Sequence, residues 1–441
     1  MLLIYSNKTT NRLRYICNLL FHDILGVAFE IVNEEDRFKN YSFEKINYSN
    51  AAFGDEIFIQ ARNILFETGI SNQDIQVTEC LPAGKAGKGS KIFFQGGKKG
   101  SLPFDVFAAA FYLVSRYEEY LPHIRDKYDR YNANESLAYK NDFLQKPVVN
   151  KWAYLLRDVL LSRYPGIKFP KRKYKYISTI DIDNAYAYKE KGIMRTVGAY
   201  AKSFSKFDLE EVGERTRVLL GSQKDPYDTY ELQMDIQERY KLKPIYFILL
   251  GDYAENDRNV PVESEKFRSL IKQLADYADV GIHPSFASGT DKKQLKKEIG
   301  RLSSVLNRDI TKSRQHFLKL RLPDTYRNLI DLDVTDEYSM GYASQLGFRA
   351  SICTPFNFYD LDLEHETPLK IHPFAVMDAT LKYYLKLDPE DAIDHIKPLV
   401  DEVKAVDGTF ISVWHNETIS NDKLWSGWQG LYEEVVKYAL S

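Results

Sequence analysis

The chain has 441 residues, long enough for two or three domains, each around its own core. Hydrophobic content of 44% with 28% charged residues is that of an ordinary globular protein, and a net charge of −2 lacks the basic excess that a nucleic-acid surface needs. No apolar run reaches the roughly 7–15 residues of a signal peptide or the roughly 20 of a membrane helix, so a cytoplasmic protein without a transmembrane segment is expected.

Leu2–Tyr5 reads as a short strand. Leu13, Ile16, Leu20 and Ile24 then repeat at helical spacing up to Gly26, and Phe29–Val32 reads as a second strand. Residues 82–100 are rich in Gly and Lys, but a phosphate-binding loop needs Gly-Lys-Ser/Thr where Gly89 is followed directly by Ser90. A hairpin around Ile92-Phe93-Phe94 is the better reading. Phe104–Leu121 reads as a helix with Phe107, Phe111 and Val114 inward and Arg116, Glu118 and Glu119 toward solvent. Residues 126–145 read as loop and Trp152–Leu161 as a helix, ended by Tyr164-Pro165-Gly166 and Pro170. These signals divide the chain into an N-terminal α/β domain, 1–168, and a second domain, 169–441.

In the second domain short apolar strands alternate with helical patterns. The strands are Tyr174–Ile180, Ile245–Leu250, Val280–Ile282 and Phe410–Trp414. Helical repeats run through Leu295, Ile299, Leu302 and Leu306, and through Ile393, Ile396, Val400 and Val403. Alternation of this kind predicts a parallel sheet with covered faces, as a barrel or doubly wound. Cys17, Cys80 and Cys353 show no CxxC spacing, which argues against a disulfide framework or a structural zinc site. The 31 Tyr, 25 Phe and 4 Trp suit a sugar-binding surface, but a large core accounts for them equally well.

Several predicted strands end in residues suited to hydrolysis. Asp181 and Asp183 follow the first, His283 ends the third, and His415 ends the last. In parallel α/β barrels the carboxyl ends of the strands converge on the active site, so these four side chains are expected to share one rim. Taken singly, an Asp-x-Asp is more often a turn and a lone His more often structural.

The series Thr179-Ile180-Asp181-Ile182-Asp183, Gly281-Ile282-His283-Pro284-Ser285, Ser313-Arg314-Gln315-His316-Phe317 and Phe410-Ile411-Ser412-Val413-Trp414-His415 resembles the motifs of the polysaccharide deacetylases of carbohydrate esterase family four, the NodB homology domain. The likeness covers about 260 residues of the chain. Asp225–Thr229 and Gly347–Ala350 resemble a divergent bacterial branch with its own N-terminal α/β domain, to which Leu102–Asp105 and Arg116–Tyr120 are similar. The resemblance implies a distorted (β/α)7 barrel that removes acyl groups from sugars with a divalent metal, Zn, Mn, Mg or Co. It implies Asp181 as general base, Arg314 as the arginine that orients it, and His415 as general acid. Asp183 and His283 are implied as metal ligands. A metal lowers the pKa of bound water from about 15.7 to roughly 7, which supplies a nucleophile at neutral pH. A backbone N–H near Phe317 or Gly251 is a candidate for holding the oxyanion.

The chain departs from the family at Ala287, where the second metal histidine is usual. His316 is the candidate third ligand, with Asn184 or water as alternatives and a hydrogen-bonded pocket role as the plainer reading. His372 echoes the motif at His415 but ends a poorer strand, and Asp378 reads as a helix cap at Ala379, with the tuning of a neighbouring group as the alternative. His22, His123, His365 and His395 earn no role. Two functions follow: a metal-dependent deacetylase or related C–N hydrolase acting on an acylated sugar or glycan precursor, or a barrel without a competent metal site that binds carbohydrate or assists glycan assembly.

Overall fold

The structure is a computed structural model and describes residues 1–79 and 91–441. Cys80 and residues 82–90 of the Gly-Lys-rich stretch lie outside the described residues. The strands flanking that stretch, β5 (Thr78–Glu79) and β6 (Lys91–Ile92), pair antiparallel.

The first four strands are β1 (Leu2–Tyr5), β2 (Phe29–Val32), β3 (Lys45–Ser49) and β4 (Ile57–Gln60). They form a parallel sheet in the order β2-β1-β3-β4. Parallel neighbours need crossover connections, and the first is the helical run 11–24. Thr10 starts it by accepting the Leu13 N–H at 3.1 Å. The run is α-helical over Asn11–Cys17 and π-helical over Asn18–Ile24, and the chain leaves it through Gly26 at a φ of +68°.

The helix expected over 104–121 is shorter. Asp105 caps it by accepting the Phe107 and Ala108 N–H groups, and all nine residues of Val106–Val114 are buried. Arg116 then takes a left-handed φ of 54° and a 3-10 turn follows over Tyr117–Glu119. Arg116, Glu118 and Glu119 are buried, which corrects the expectation that they face solvent. The reason is electrostatic. Arg116 pairs with Glu118 at 2.8 Å and with Glu119 at 2.7 Å, and Arg349 pairs with Glu119 at 2.6 Å. Burial pushes the Glu119 carboxyl up, but Arg349 and Arg116 outweigh it and hold Glu119 at about 2.

The larger sheet contains β7 (Lys175–Ile182), β8 (Ile245–Leu249), β9 (Asp279–His283), β10 (Lys312–Ser313), β11 (Asp336–Glu337), β12 (Phe356–Asp360), β13 (His365–Ile371), β14 (Val376–Met377) and β15 (Thr409–His415). Its order is β12-β13-β11-β10-β9-β8-β7-β15-β14, and the β12–β13 pair is antiparallel while the others are parallel. The two ends of this ladder are joined by the short segment 372–375. His372 and Phe374 donate their N–H groups to Glu337 and Met340, whereas Ala375 donates to Ile411. Only four residues separate β13 from β14 on the other side of the sheet, so the sheet curls back toward itself.

Strand alternation gives the curled sheet two faces. Ile180, Ile182, Tyr246 and Ile248 pack outward with helices such as Glu265–Tyr277 and Pro389–Lys404. Ile245, Phe247, Ile411 and Val413 pack inward with Phe374 and Met377. Asp181 has the parity of the inward set. A separate core joins the N-terminal sheet and the helix 148–163 to β12, β13 and Tyr326. Five of the nine strands, β10 to β14, were not read from the sequence; three of them have two residues each.

Candidate active site

Parallel register brings the carboxyl ends of β7, β8, β9 and β15 to one edge. Asp181 stands opposite His415 on one side and Phe247 on the other, and His283 opposite Leu249. Asp181 is the next-to-last residue of β7 rather than the residue after it, with Asp183 just beyond the strand end. Gln315 precedes a 3-10 turn, His316–Leu318, that carries His316 in from β10. Phe317 and Leu318 in that turn have φ of 59° and 54°, a left-handed conformation that side chains other than glycine rarely adopt.

Three side chains converge. His283 Nε2 is 3.1 Å from Asp183 Oδ1, and His316 Nε2 is 3.2 Å from Asp183 Oδ2. The first contact lacks hydrogen-bond geometry, and Asp183 Oδ1 is buried with no hydrogen-bond partner. Both Nδ1 atoms are engaged elsewhere: His283 Nδ1 donates to the Arg314 carbonyl and His316 Nδ1 to Asp257 Oδ1 at 2.8 Å. Those bonds fix the tautomer with Nε2 free and aimed inward, the outer-shell arrangement of a metal-ligating imidazole. Asp183, His283 and His316 are the one such group of potential ligands among the described residues. An unpartnered carboxylate oxygen beside two inward Nε2 atoms suits a divalent cation of the Zn, Mn or Co kind.

His316 is the third side chain of this group, whereas the N–H of Ala287 donates to Asp257. Asn184 is engaged otherwise, its Oδ1 accepting from Lys191.

Asp181 lies beside this group. Arg314, fully buried, donates from NH1 to Asp181 Oδ1 at 2.9 Å and to Thr179 Oγ1 at 2.7 Å, and from Nε to the Tyr338 carbonyl. On the far side His415 Nε2 is 3.7 Å from Asp183 Oδ2. His415 Nδ1 is held by Asp378 Oδ1 at 2.8 Å, while Asp378 Oδ2 accepts the His415 backbone N–H and the Thr418 hydroxyl. Asp378 is fully buried and accepts the Ala379 N–H, so the capping reading is incomplete: the same carboxylate also orients a neighbouring group, His415. Desolvation lowers the pKa of His415, but Asp378 and then Asp183 outweigh it and raise it well above the usual imidazole value. Burial likewise pushes Asp183 up, yet His316 and His415 hold it well below the carboxylate range.

These groups floor a pocket of about 430 Å³ walled by Tyr128, Phe317, Tyr383, Tyr384 and Trp425. The wall that includes Tyr128 comes from the N-terminal part of the chain, pinned by Arg130, which donates to the Phe317 carbonyl and the Tyr384 hydroxyl. Phe317 lines the pocket as expected for an oxyanion donor, but Gly251 does not; it packs against Ser285. Glu417, missed in the sequence, also lines the pocket. Burial first, and then Asp183 and Asp378, push its carboxyl up to about 7 against the pull of His415. Its sole sequence signal is its place two residues after His415. Asp257 gave none. His372 stands apart, bonded to Asp336 at 2.7 Å and stacked on Tyr338.

A family described as "Family of unknown function (DUF7033)" matches residues 2–165. No curated protein matches the chain. Among solved structures the chain is similar to a Mycobacterium smegmatis protein assigned as a polysaccharide deacetylase, at 11% identity and a TM-score of 0.41 over 62% of this chain and 87% of that one. A polysaccharide deacetylase from Bacillus cereus is similar at 11% identity and a TM-score of 0.28, over 60% of this chain and 89% of that one. A CE4 family pseudoenzyme from Bacillus anthracis is similar at 11% identity and 0.27, over 59% of this chain and 62% of that one.

Proposed function

We propose that the protein is a metal-dependent hydrolase that removes an acyl group from an N- or O-acylated sugar or glycan precursor. The observation that carries this reading is the convergence of Asp183, His283 and His316 between an arginine-paired carboxylate, Asp181, and an aspartate-held imidazole, His415. The motif series at Asp181, His283, Arg314 and His415 supports the same assignment, as does the curled sheet, which fits a distorted (β/α)7 barrel. We take residues 1–168 and 169–441 as its two domains, the first supplying a wall of the pocket.

Asp183, His283 and His316 would hold a divalent metal, which would supply an acidified water and a polarised acyl carbonyl. Asp181 accepts the proton of the attacking water. Arg314 holds that carboxylate turned toward the pocket through a hydrogen bond of 2.9 Å. His415 is kept protonated by Asp378 and gives its proton to the leaving amine or alkoxide, a contribution of about 10²–10⁴-fold. The aromatic walls hold the sugar ring and exclude water.

His316 supplies the donor whose absence at Ala287 was the ground for a non-catalytic carbohydrate-binding role. The test is paired: metal content of protein purified without chelator, and acetate release from a panel of acetylated amino sugars. Close to one ion per chain with acetate release supports the hydrolase. Metal-free protein that binds glycan fragments without releasing acetate refutes it.

A further inference from the structure

Between β7 and the helix Tyr230–Tyr240 the chain makes a hairpin of two helices, Ile193–Ser205 and Leu209–Leu219. A surface helix normally turns its apolar stripe toward the protein. Here the polarity is reversed. The contacts between the two helices are polar: Ser203 donates to Glu211 at 2.9 Å, the Tyr200 and Thr216 hydroxyls share a bond of 2.9 Å, and Arg215 lies over the Tyr200 ring. Of the first helix only Ser203 is buried. Val218 is buried, but most of the large apolar side chains point away, with Ile193 exposed at 83%, Met194 at 87%, Phe207 at 88% and Leu220 at 80%. Val197, Phe204 and Leu209 are more than half exposed. Ile193, Val197 and Phe204 fall on one face by helical spacing.

The charges around this patch are sorted as well. Residues 191–207 carry Lys191, Arg195, Lys202 and Lys206 and no acidic residue. On the second helix Glu211 is taken by Arg215 at 2.6 Å, and Glu210 and Glu214 by Lys423 at 3.2 and 3.1 Å. Lys202 and Lys206 are left exposed beside the apolar face.

We propose that this hairpin docks on an anionic lipid surface, its apolar side chains in the acyl boundary and its lysines at the headgroups. A contiguous exposed apolar face rimmed by cations is the pattern of an interfacial amphipathic helix. No helix among the described residues is long and apolar enough to cross a membrane, so the attachment is to one leaflet.

The hairpin rises from the carboxyl end of β7, next to Asp183. Lys423, which ties it down, stands two residues before Trp425 of the pocket wall. Docking therefore holds the Trp425 side of the pocket close to the bilayer, which points to a lipid-borne acylated glycan as the substrate class; this last step rests on the hydrolase reading.

The test is co-sedimentation of the full chain with vesicles of phosphatidylcholine, with and without phosphatidylglycerol. The wild type is expected to pellet with the anionic vesicles and to be released by salt. The double variant Met194→Ser, Phe207→Ser is expected to bind on the order of tenfold or more weakly while keeping its circular dichroism and metal content. Lys202→Glu with Lys206→Glu is expected to remove the preference for phosphatidylglycerol. Wild-type protein that stays in the supernatant at low salt overturns the proposal. So does a dimer, seen by light scattering, that the serine variant dissociates. Lost vesicle binding with acetate release intact defeats the docking alone, and vesicle binding without acetate release defeats the hydrolase alone.

Discussion

Asp378 holds His415 twice, through the ring Nδ1 and through the backbone N–H, each at 2.8 Å. Two bonds from one carboxylate fix both where the imidazole stands and which way it turns. Replacing Asp378 with Asn keeps the shape but removes the charge that keeps His415 protonated. Turnover is expected to fall by about 100-fold or more, with metal content unchanged. Unchanged kcat in Asp378→Asn would remove His415 from the acid role.

Asp181 and Asp183 differ by two residues and should differ in kind. Asp183→Ala is expected to abolish metal retention, because it removes the carboxylate that both Nε2 atoms face. Asp181→Asn is expected to keep the metal and lose turnover by about 100-fold or more. Metal analysis by mass spectrometry beside acetate release separates the two, and full activity in Asp181→Asn refutes the base assignment.

Asp257 reaches the site through His316. Asp257→Asn leaves the His316 ring without its anionic partner, and metal affinity is expected to weaken about 10–100-fold. Competition with a fluorescent chelator measures this. Affinity equal to wild type means that His316 is not a ligand.

Proton and metal compete at His316. Burial lowers its pKa, but Asp183 and Asp257 outweigh burial and lift it from 6.5 to about 9. A raised folded-state value means that its contribution to the stability of the metal-free protein is complete below 6.5 and lost as pH rises through about 9. The metal-free protein should therefore lose thermal stability across that window, while metal affinity rises across it. Calorimetric titrations in buffers of different ionisation enthalpy should show protons released on binding, and identical enthalpies in all buffers would contradict this.

Glu417 sits in the pocket with its carboxyl pushed up to about 7 by burial, beside His415. It is expected to place an inflection near neutrality in the pH profile of kcat/KM. Glu417→Gln should erase that inflection and leave the metal in place. A profile that keeps it assigns the titration elsewhere.

Asp181, Asp183, His283 and His415 were legible because each lies at or just beyond the end of an apolar strand, and parallel strands can bring their ends to one edge. His316 and Arg314 were placed by motif alone, since β10 has two residues and shows no periodicity. Asp378 and Asp257 could not be read, because their function depends on partners 37 and 59 residues away. Arg116 and Glu119 misled for a related reason. Charges normally face water, and nothing near them in the chain announces Arg349, 230 residues from Glu119. The hairpin 193–219 shows an amphipathic pattern, but a pattern does not say which side faces out.

That same Arg349 sets a practical limit on dissecting the protein. A fragment starting at residue 169 would strand its buried guanidinium without Glu119, a loss of about 3–5 kcal/mol when one partner of an interior ion pair is removed. It would also bare the apolar side of β12 and β13. Expressed by itself, residues 169–441 should aggregate, and the two parts should be recoverable only when they are produced together.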